Sequence, residues 1–230
     1  MRFVPIKSEE QQAVLVMHRA RDLLVRQRTQ VINALRGHLA EFGLIEAQGP
    51  SHVRRLLESM RTDVPELARE TLDLLATTLD AVDAQIDAVE AKIAAWHKAN
   101  PTSQRLATIP GIGPLIASAI TSTVADPAAF RSGREFAAWL GLTPRQKSTG
   151  GKQRLGRITR KGDQYLRRLL IVGAQTVLLR SKAAKANPWI RGLLARCARL
   201  KVAVALANKT ARIAWAVMMR GECYRPVVAA

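Results

Sequence analysis

The apolar positions of the first hundred residues recur at intervals of three and four, which is the spacing of one face of an α-helix. They predict one long helix from Glu9 to about Phe42, with Gly43 as its natural end. A shorter helix is predicted near Val53 to Met60, before Asp63 and Pro65 open the next element. This part of the chain is therefore predicted to consist of helices joined by short turns.

A third predicted helix carries a heptad pattern in which apolar residues alternate steps of three and four without a break. Acidic residues lie off this seam, so the helix is predicted to form a coiled-coil stalk or dimerisation arm, with the first helix as an antiparallel partner. The alternative is a plain amphipathic helix packed on a core. The seam consists of Leu72, Leu75, Leu79, Val82, Ile86, Val89, Ile93 and Trp96.

The pattern changes where Asn100 and Pro101 end the heptad helix. We expect residues 1–100 to form a linker and coiled-coil helices, and residues 101–230 to form a compact helical domain. The segment 141–161 is rich in glycine, hydroxyl and basic side chains without a steady period, so it is predicted to be a loop. The expected fold class is all-α, because aromatic residues make up only 4% of the chain. The helices predicted in the second domain span residues 115–125, 132–140, 162–180, 188–197 and 201–220.

Charge distinguishes the two parts of the chain. The net charge is +18, and residues 1–139 are balanced, with 16 basic and 16 acidic side chains, whereas residues 140–230 have 20 and 2. Such a one-sided excess indicates a polyanionic partner, DNA or RNA, whose counterions are released on binding. A membrane surface is the weaker alternative, because no apolar face with aromatic anchors accompanies the charge. No stretch approaches about 18 apolar residues without a charge, so no membrane span is expected. Cys197 and Cys223 lack metal-site spacing, and a cytoplasmic, nucleoid-associated location is expected.

One candidate phosphate-binding motif is the run Ile109–Ala117, which has the form of a helix-hairpin-helix. Gly111 and Gly113 allow a tight turn and a close approach of backbone to phosphate, and the following helix start offers free amides. The alternative is a glycine-proline turn between packed helices. In either case the contact would carry no information on base sequence.

A second candidate is Ser148, which lies within a run of basic residues in the predicted loop. Such a field attracts a phosphodiester and stabilises the charge that develops in phosphoryl transfer. The alternative is that Ser-Thr-Gly-Gly is only a turn, since no histidine base lies nearby in sequence. The basic residues predicted to bind DNA or RNA are Arg145, Lys147, Lys152, Arg154, Arg157, Arg160, Lys161, Arg167 and Arg168.

Two other classes of DNA enzyme do not fit the residues of this chain. A tyrosine recombinase needs arginine and histidine companions, and all four histidines precede the basic domain. A metal-dependent nuclease needs clustered carboxylates, and the basic domain offers only Asp163 and Glu222. No metal site is therefore predicted in this chain.

Taken together, the motifs resemble the insertion-sequence transposases of family one hundred and ten, also grouped with one hundred sixteen and nine hundred two. The likeness extends upstream to a segment that looks like the family's linker and coiled coil. The matching runs are Arg2–Gln12, Ile109–Gly113, Phe136–Arg145, Lys147–Lys152, Gly156–Asp163 and Leu166–Leu170.

This resemblance implies a recombinase guided by a structured bridge RNA, in which Ser148 attacks DNA and forms a phosphoserine link. Family members carry an amino-terminal RuvC-like domain whose four acids, a DEDD set, hold Mg²⁺. This sequence starts at the family's linker, so we expect that domain to be absent, the chain to bind no metal alone, and the chain to be inactive alone. The alternative is a non-catalytic helical DNA-binding protein, a degenerate remnant or a regulator. A homo-oligomer formed through the coiled coil is also expected.

Overall fold

The computed structural model describes residues 5–152 and 154–225. Residues 2–4 of the upstream segment quoted above, and residues 226–230 of the predicted second domain, lie outside this description. The described chain is helical apart from one two-stranded sheet, which confirms the all-α prediction. Its elements are α1 (Glu9–Glu41), α2 (Pro50–Asp63), α3 (Glu66–Ala99), α4 (Pro101–Ala107), α5 (Pro114–Thr123), a 3-10 turn (Pro127–Ala129), α6 (Gly133–Trp139), β1 (Pro144–Gln146), β2 (Leu155–Ile158), α7 (Gln164–Arg180), α8 (Lys182–Ala186), α9 (Pro188–Leu194) and α10 (Arg199–Arg220).

The chain divides into two compact units. The small unit is residues 16–92, and the large unit is residues 1–15 with 93–230. Because α1 and α3 each contribute to both units, the division falls inside two helices. The boundary indicated by sequence, at residue 100, falls instead where α3 ends and α4 begins.

In the small unit, α1 and α3 run antiparallel. Arg21 forms a 2.6 Å ion pair with Glu90, and Arg28 forms a 3.3 Å ion pair with Asp83. Moving seven residues forward along α1 therefore corresponds to moving seven residues back along α3. Apolar residues of α1, α2 and α3 form one buried cluster, which includes the seam residues Leu72 and Leu79. The heptad face is therefore at least partly covered within the chain itself.

The core of the large unit is built from α4, α5, α6, α7 and α10. Phe136, Leu140 and Leu166 are completely buried at its centre. Along α10 the residues facing the core are mostly alanines, including Ala207, Ala211 and Ala214, and small side chains let neighbouring helices approach closely. By length and composition alone α10 could also cross a membrane. Its buried stripe is that of an ordinary core helix.

The predicted loop 141–161 contains a short hairpin instead of irregular backbone. β1 and β2 pair antiparallel, with Pro144 opposite Ile158 and Gln146 opposite Leu155. Gly150 and Gly151 both have positive φ, 56° and 76°, which is the conformation of a tight type I′ hairpin turn. The prediction of a loop here was wrong because strands this short and exposed leave no apolar periodicity to detect.

Candidate nucleic-acid interface

Ser148 lies just beyond β1, on the arm of the hairpin that leads into its turn. The Lys147 amide donates to the Arg154 carbonyl at 2.8 Å, and the Ser148 Oγ accepts a 3.2 Å hydrogen bond from the Arg154 amide. The half-buried hydroxyl is therefore held across the hairpin by backbone. An N–H aimed at Oγ also favours the charged form of that oxygen.

Several predicted cations lie on the same hairpin as this hydroxyl. Arg145 and Lys147 lie on one side of the hairpin, because Arg145 Cβ and Lys147 Cε both lie within 3.8 Å of the position that a Cβ on Gly156 would take. The Arg145 guanidinium donates from Nη2 to the Thr159 carbonyl at 3.1 Å, which links the hairpin's two arms. Within residues 141–152 and 154–163 no side chain forms a salt bridge. The exposed cations carried by this segment are Arg145, Lys147, Lys152, Arg154, Arg157, Arg160 and Lys161.

Arg167, unlike the exposed cations of the hairpin, is buried. It is only 8% exposed, and its Nη1 donates to the Leu140 carbonyl at 3.0 Å and to the Lys161 carbonyl at 2.9 Å. The guanidinium thus ties the end of α6 to the segment that follows the hairpin. This corrects its assignment as a phosphate-binding residue. Arg168, next in sequence, is exposed and lies over the Tyr165 ring at 5.5 Å.

The two glycines of the candidate phosphate-binding turn also differ in position. The Gly111 carbonyl oxygen would lie 2.1 Å from a Cβ placed on Gly173 of α7, so this part of the turn packs tightly against that helix. Gly111 therefore has the packing role that the sequence left as an alternative. Gly113 is exposed and stands immediately before α5, whose first-turn amides have no partner within the helix. Gly113 is the member of the pair that a phosphate could approach.

Sequence reasoning missed a second group of cations near the hairpin. Arg134 of α6 and Lys201, Lys209 and Arg212 of α10 line a groove that also includes Pro144 and Ile158 at the hairpin's base. These residues are far apart in sequence and belong to no motif, so only packing shows their proximity. The one signal was the low number of acids after residue 140.

No cluster of carboxylates suited to binding a metal ion is found among the described residues. Within the described residues, no three His, Cys, Asp or Glu side chains come together as metal ligands. Asp163 accepts a 2.8 Å hydrogen bond from the Leu166 amide and caps α7. The residues present therefore do not fit a Mg²⁺ site on this part of the chain.

Comparison with known proteins shows that the chain is similar to transposases. A family described as Transposase IS116/IS110/IS902 matches residues 103–188, the part that holds α4 to the start of α9. A Pseudomonas aeruginosa protein named "Probable family 20 transposase" is 48% identical over 98% of this chain and 69% of its own length. The transposase for insertion sequence element IS1111A of Coxiella burnetii is 38% identical, over 98% of this chain and 64% of its own length. The y4pF/y4sB protein of Sinorhizobium fredii is 46% identical, and the chain spans 59% of its length.

Proposed function

This chain belongs to the IS116/IS110/IS902 family of transposases, and we propose that it carries out DNA strand exchange for an insertion sequence with Ser148 as nucleophile. One observation carries the proposal: the Ser148 hydroxyl is fixed across a hairpin whose exposed charges are all positive. A DNA phosphodiester is the substrate that such a field attracts. The chain spans 59% of the length of one relative and 69% of another, so the complete reaction is proposed with further family segments present.

The proposed step is a transesterification. Ser148 Oγ attacks phosphorus and forms a new O–P bond, while the bond from phosphorus to one sugar oxygen breaks. The proton of the serine hydroxyl is lost and the departing sugar oxygen gains one, so no oxidant or other co-reactant is consumed. The Arg154 amide stabilises the alkoxide, and Lys147 and Lys152 lie on the same hairpin to offset charge on the phosphoryl oxygens.

The proposed step assigns no role to Mg²⁺ bound by the described residues. Family resemblance associates Mg²⁺ with the acids of another domain, and the described residues include no carboxylate cluster that would hold it. What this chain supplies is the nucleophile, the amide that supports it and the cations that bind phosphate.

The proposed partners are DNA, a structured guide RNA and a second copy of the chain. The exposed cations suit either nucleic acid, because phosphate contacts do not distinguish base sequence. Association of copies is supported by Leu67 and Leu74, one heptad apart on α3, which are 85% and 69% exposed. Val16 and Leu23 form a similar exposed pair on α1.

The decisive experiment looks for a protein–DNA adduct that survives denaturation. Labelled element-end DNA and guide RNA are incubated with wild type, Ser148→Ala and the control Thr149→Ala, each alone and with the amino-terminal part of a full-length relative. We expect an adduct with wild type and Thr149→Ala and none with Ser148→Ala. An adduct that persists in Ser148→Ala, or none from wild type even with the added segment, contradicts the proposal.

A second candidate is DNA binding without strand cleavage. It is favoured by the unneutralised cations of residues 141–152 and 154–163, which account for binding without any chemistry at Ser148. The same experiment separates the two, because a pure binding protein would retain DNA equally well in all three variants and form no adduct.

A further inference from the structure

The large unit contains a groove of about 1050 Å³ that no step of the proposed reaction uses. It lies between the start of α6, the base of the β1–β2 hairpin, the start of α9 and one side of α10. The walls are firmly packed: a Cβ on Gly133 would lie 2.9 Å from the Arg212 carbonyl oxygen, so α6 and α10 are in direct backbone contact. The two walls formed by α6 and α10 are thus held against each other.

All of the charge that lines this groove is positive. Arg134, Lys201, Lys209 and Arg212 contribute to its lining, and no lining residue is acidic. The nearby Glu135 is bonded elsewhere, since its Oε2 accepts a 2.6 Å hydrogen bond from the Arg131 amide. The occupant that this charge favours is an anion.

The lining also has a large aromatic surface. Trp189 is 41% exposed and the Lys209 ammonium lies 4.7 Å from the centre of its ring. Its backbone is fixed, because the Asn187 side chain accepts hydrogen bonds from the Trp189 and Ile190 amides and Ile190 is buried. Trp215 lines the groove too, and its Nε1 already donates to the Pro127 carbonyl at 3.0 Å. The groove therefore combines flat apolar surface with cations.

A nucleotide has the complementary composition, since its base has flat apolar faces and its phosphates are anions. Bases inside a duplex are stacked on one another, so only an unpaired base can stack on a side chain. Two uncharged polar side chains of the lining also bond within the protein: Ser132 Oγ accepts from the Glu135 amide, and Asn208 Nδ2 donates to the Leu142 carbonyl.

We propose that this groove binds a segment of single-stranded DNA, with an unpaired base stacked on Trp189 and flanking phosphates held by Lys201, Lys209 and Arg212. The inference rests on the proposed function only in that the partner is DNA. Pro144 in the groove lining is four residues before Ser148, so the two Cα atoms are at most about 14 Å apart. A strand held in the groove would thus lie on the hairpin that carries the nucleophile.

The test compares the affinity of the full chain for labelled oligothymidylate with its affinity for a DNA duplex of equal length, by fluorescence anisotropy. Trp189→Leu should weaken single-strand binding about tenfold and change duplex binding less than twofold, whereas Trp189→Phe should keep most single-strand affinity. Trp139→Leu is the matched control, because Trp139 is 39% exposed and does not line the groove. Thermal unfolding of each variant checks that the fold is retained.

Three results would overturn the proposal: unchanged single-strand affinity in Trp189→Leu, an equal loss for single strand and duplex, or Trp189-dependent binding that is tighter for oligouridylate. This binding assay requires no strand cleavage. A missing Ser148 adduct therefore rejects the proposed reaction without deciding the groove, and an unchanged Trp189→Leu rejects the groove without deciding the reaction.

Discussion

At the scale of single residues, neighbouring arginines of α7 illustrate how burial separates a structural position from one that is predicted to bind nucleic acid. Arg167 and Arg168 are identical in chemistry and adjacent in sequence, yet one is buried against two carbonyls and the other is exposed. A buried guanidinium that satisfies carbonyl oxygens leaves those oxygens unpaired when it is removed, which costs more than losing a surface charge.

This pair gives a matched test. Arg167→Met should lower the free energy of unfolding by about 3 kcal/mol, because two charged hydrogen bonds are lost from a buried position. Arg168→Met should change it by less than about 1 kcal/mol and should instead weaken DNA binding and reduce its salt dependence. Urea denaturation and anisotropy titrations measure the two quantities. If Arg167→Met weakened DNA binding with little loss of stability, and Arg168→Met destabilised the fold, then Arg167 and not Arg168 would be the residue that binds DNA.

At the scale of elements, the hairpin is attached to the core through the end of α6. The Arg160 amide donates to the Gly141 carbonyl at 3.3 Å, and the Thr159 amide donates to the Thr143 carbonyl at 2.9 Å. Just beyond these bonds, Gly162 lies against the backbone of Trp139. The position of Ser148 therefore depends on this attachment as well as on the turn.

Two glycines with nearly the same φ test that dependence. Gly162 has φ +78° and a Cβ there would lie 1.8 Å from the Trp139 carbonyl oxygen, whereas Gly151 has φ +76° and open space around it. Gly151→Ala should cost only the strain of a left-handed residue, about 1–2 kcal/mol. Gly162→Ala should cost at least about 3 kcal/mol, because backbone must also move. Equal losses in urea denaturation would mean that the attachment contributes nothing.

At the scale of the whole molecule, the two units differ in charge and in the chemistry they bury. Among the described residues, the cations of segments 141–152 and 154–163 and of the groove form no salt bridge, whereas the small unit forms ion pairs between its helices. The small unit also buries one titratable side chain, His18, which is 1% exposed. Burial, together with the nearby positive charge of Arg21, lowers the pKa of His18 to about 4.

This burial predicts a loss of stability in acid. Because the folded pKa is below the unfolded value near 6.5, the unfolded chain binds the proton first, and stability falls as pH drops from about 6.5 to about 4. The difference corresponds to roughly 3 kcal/mol. Urea denaturation at pH 7 and at pH 4 should show a smaller pH effect in His18→Gln than in wild type. His38→Gln, an exposed position on the same helix, is the control and should match wild type.

Helix positions and the charge division were predictable from sequence because both are local. The observed bounds of α1, α5, α6, α7 and α10 lie within a few residues of the predicted ones, since apolar spacing repeats inside each helix. The helix α4 was not predicted, because Asn100 and Pro101 indicated only the end of the heptad helix, whereas they also cap and begin α4. The family resemblance also proposed Ser148 as the nucleophile without any knowledge of its surroundings, and this role stays a prediction.

Tertiary packing determines which side chains lie close together and which are buried. An all-α basic chain with a hydroxyl pair, Ser148 and Thr149, among cations could be predicted from sequence, because composition and helical period are properties of consecutive residues. The sequence could not separate Arg167 from Arg168 or Gly111 from Gly113, because burial depends on neighbours that are distant in sequence. The same reason applies to the groove, where Arg134, Trp189 and Arg212 meet only after α6, α9 and α10 pack.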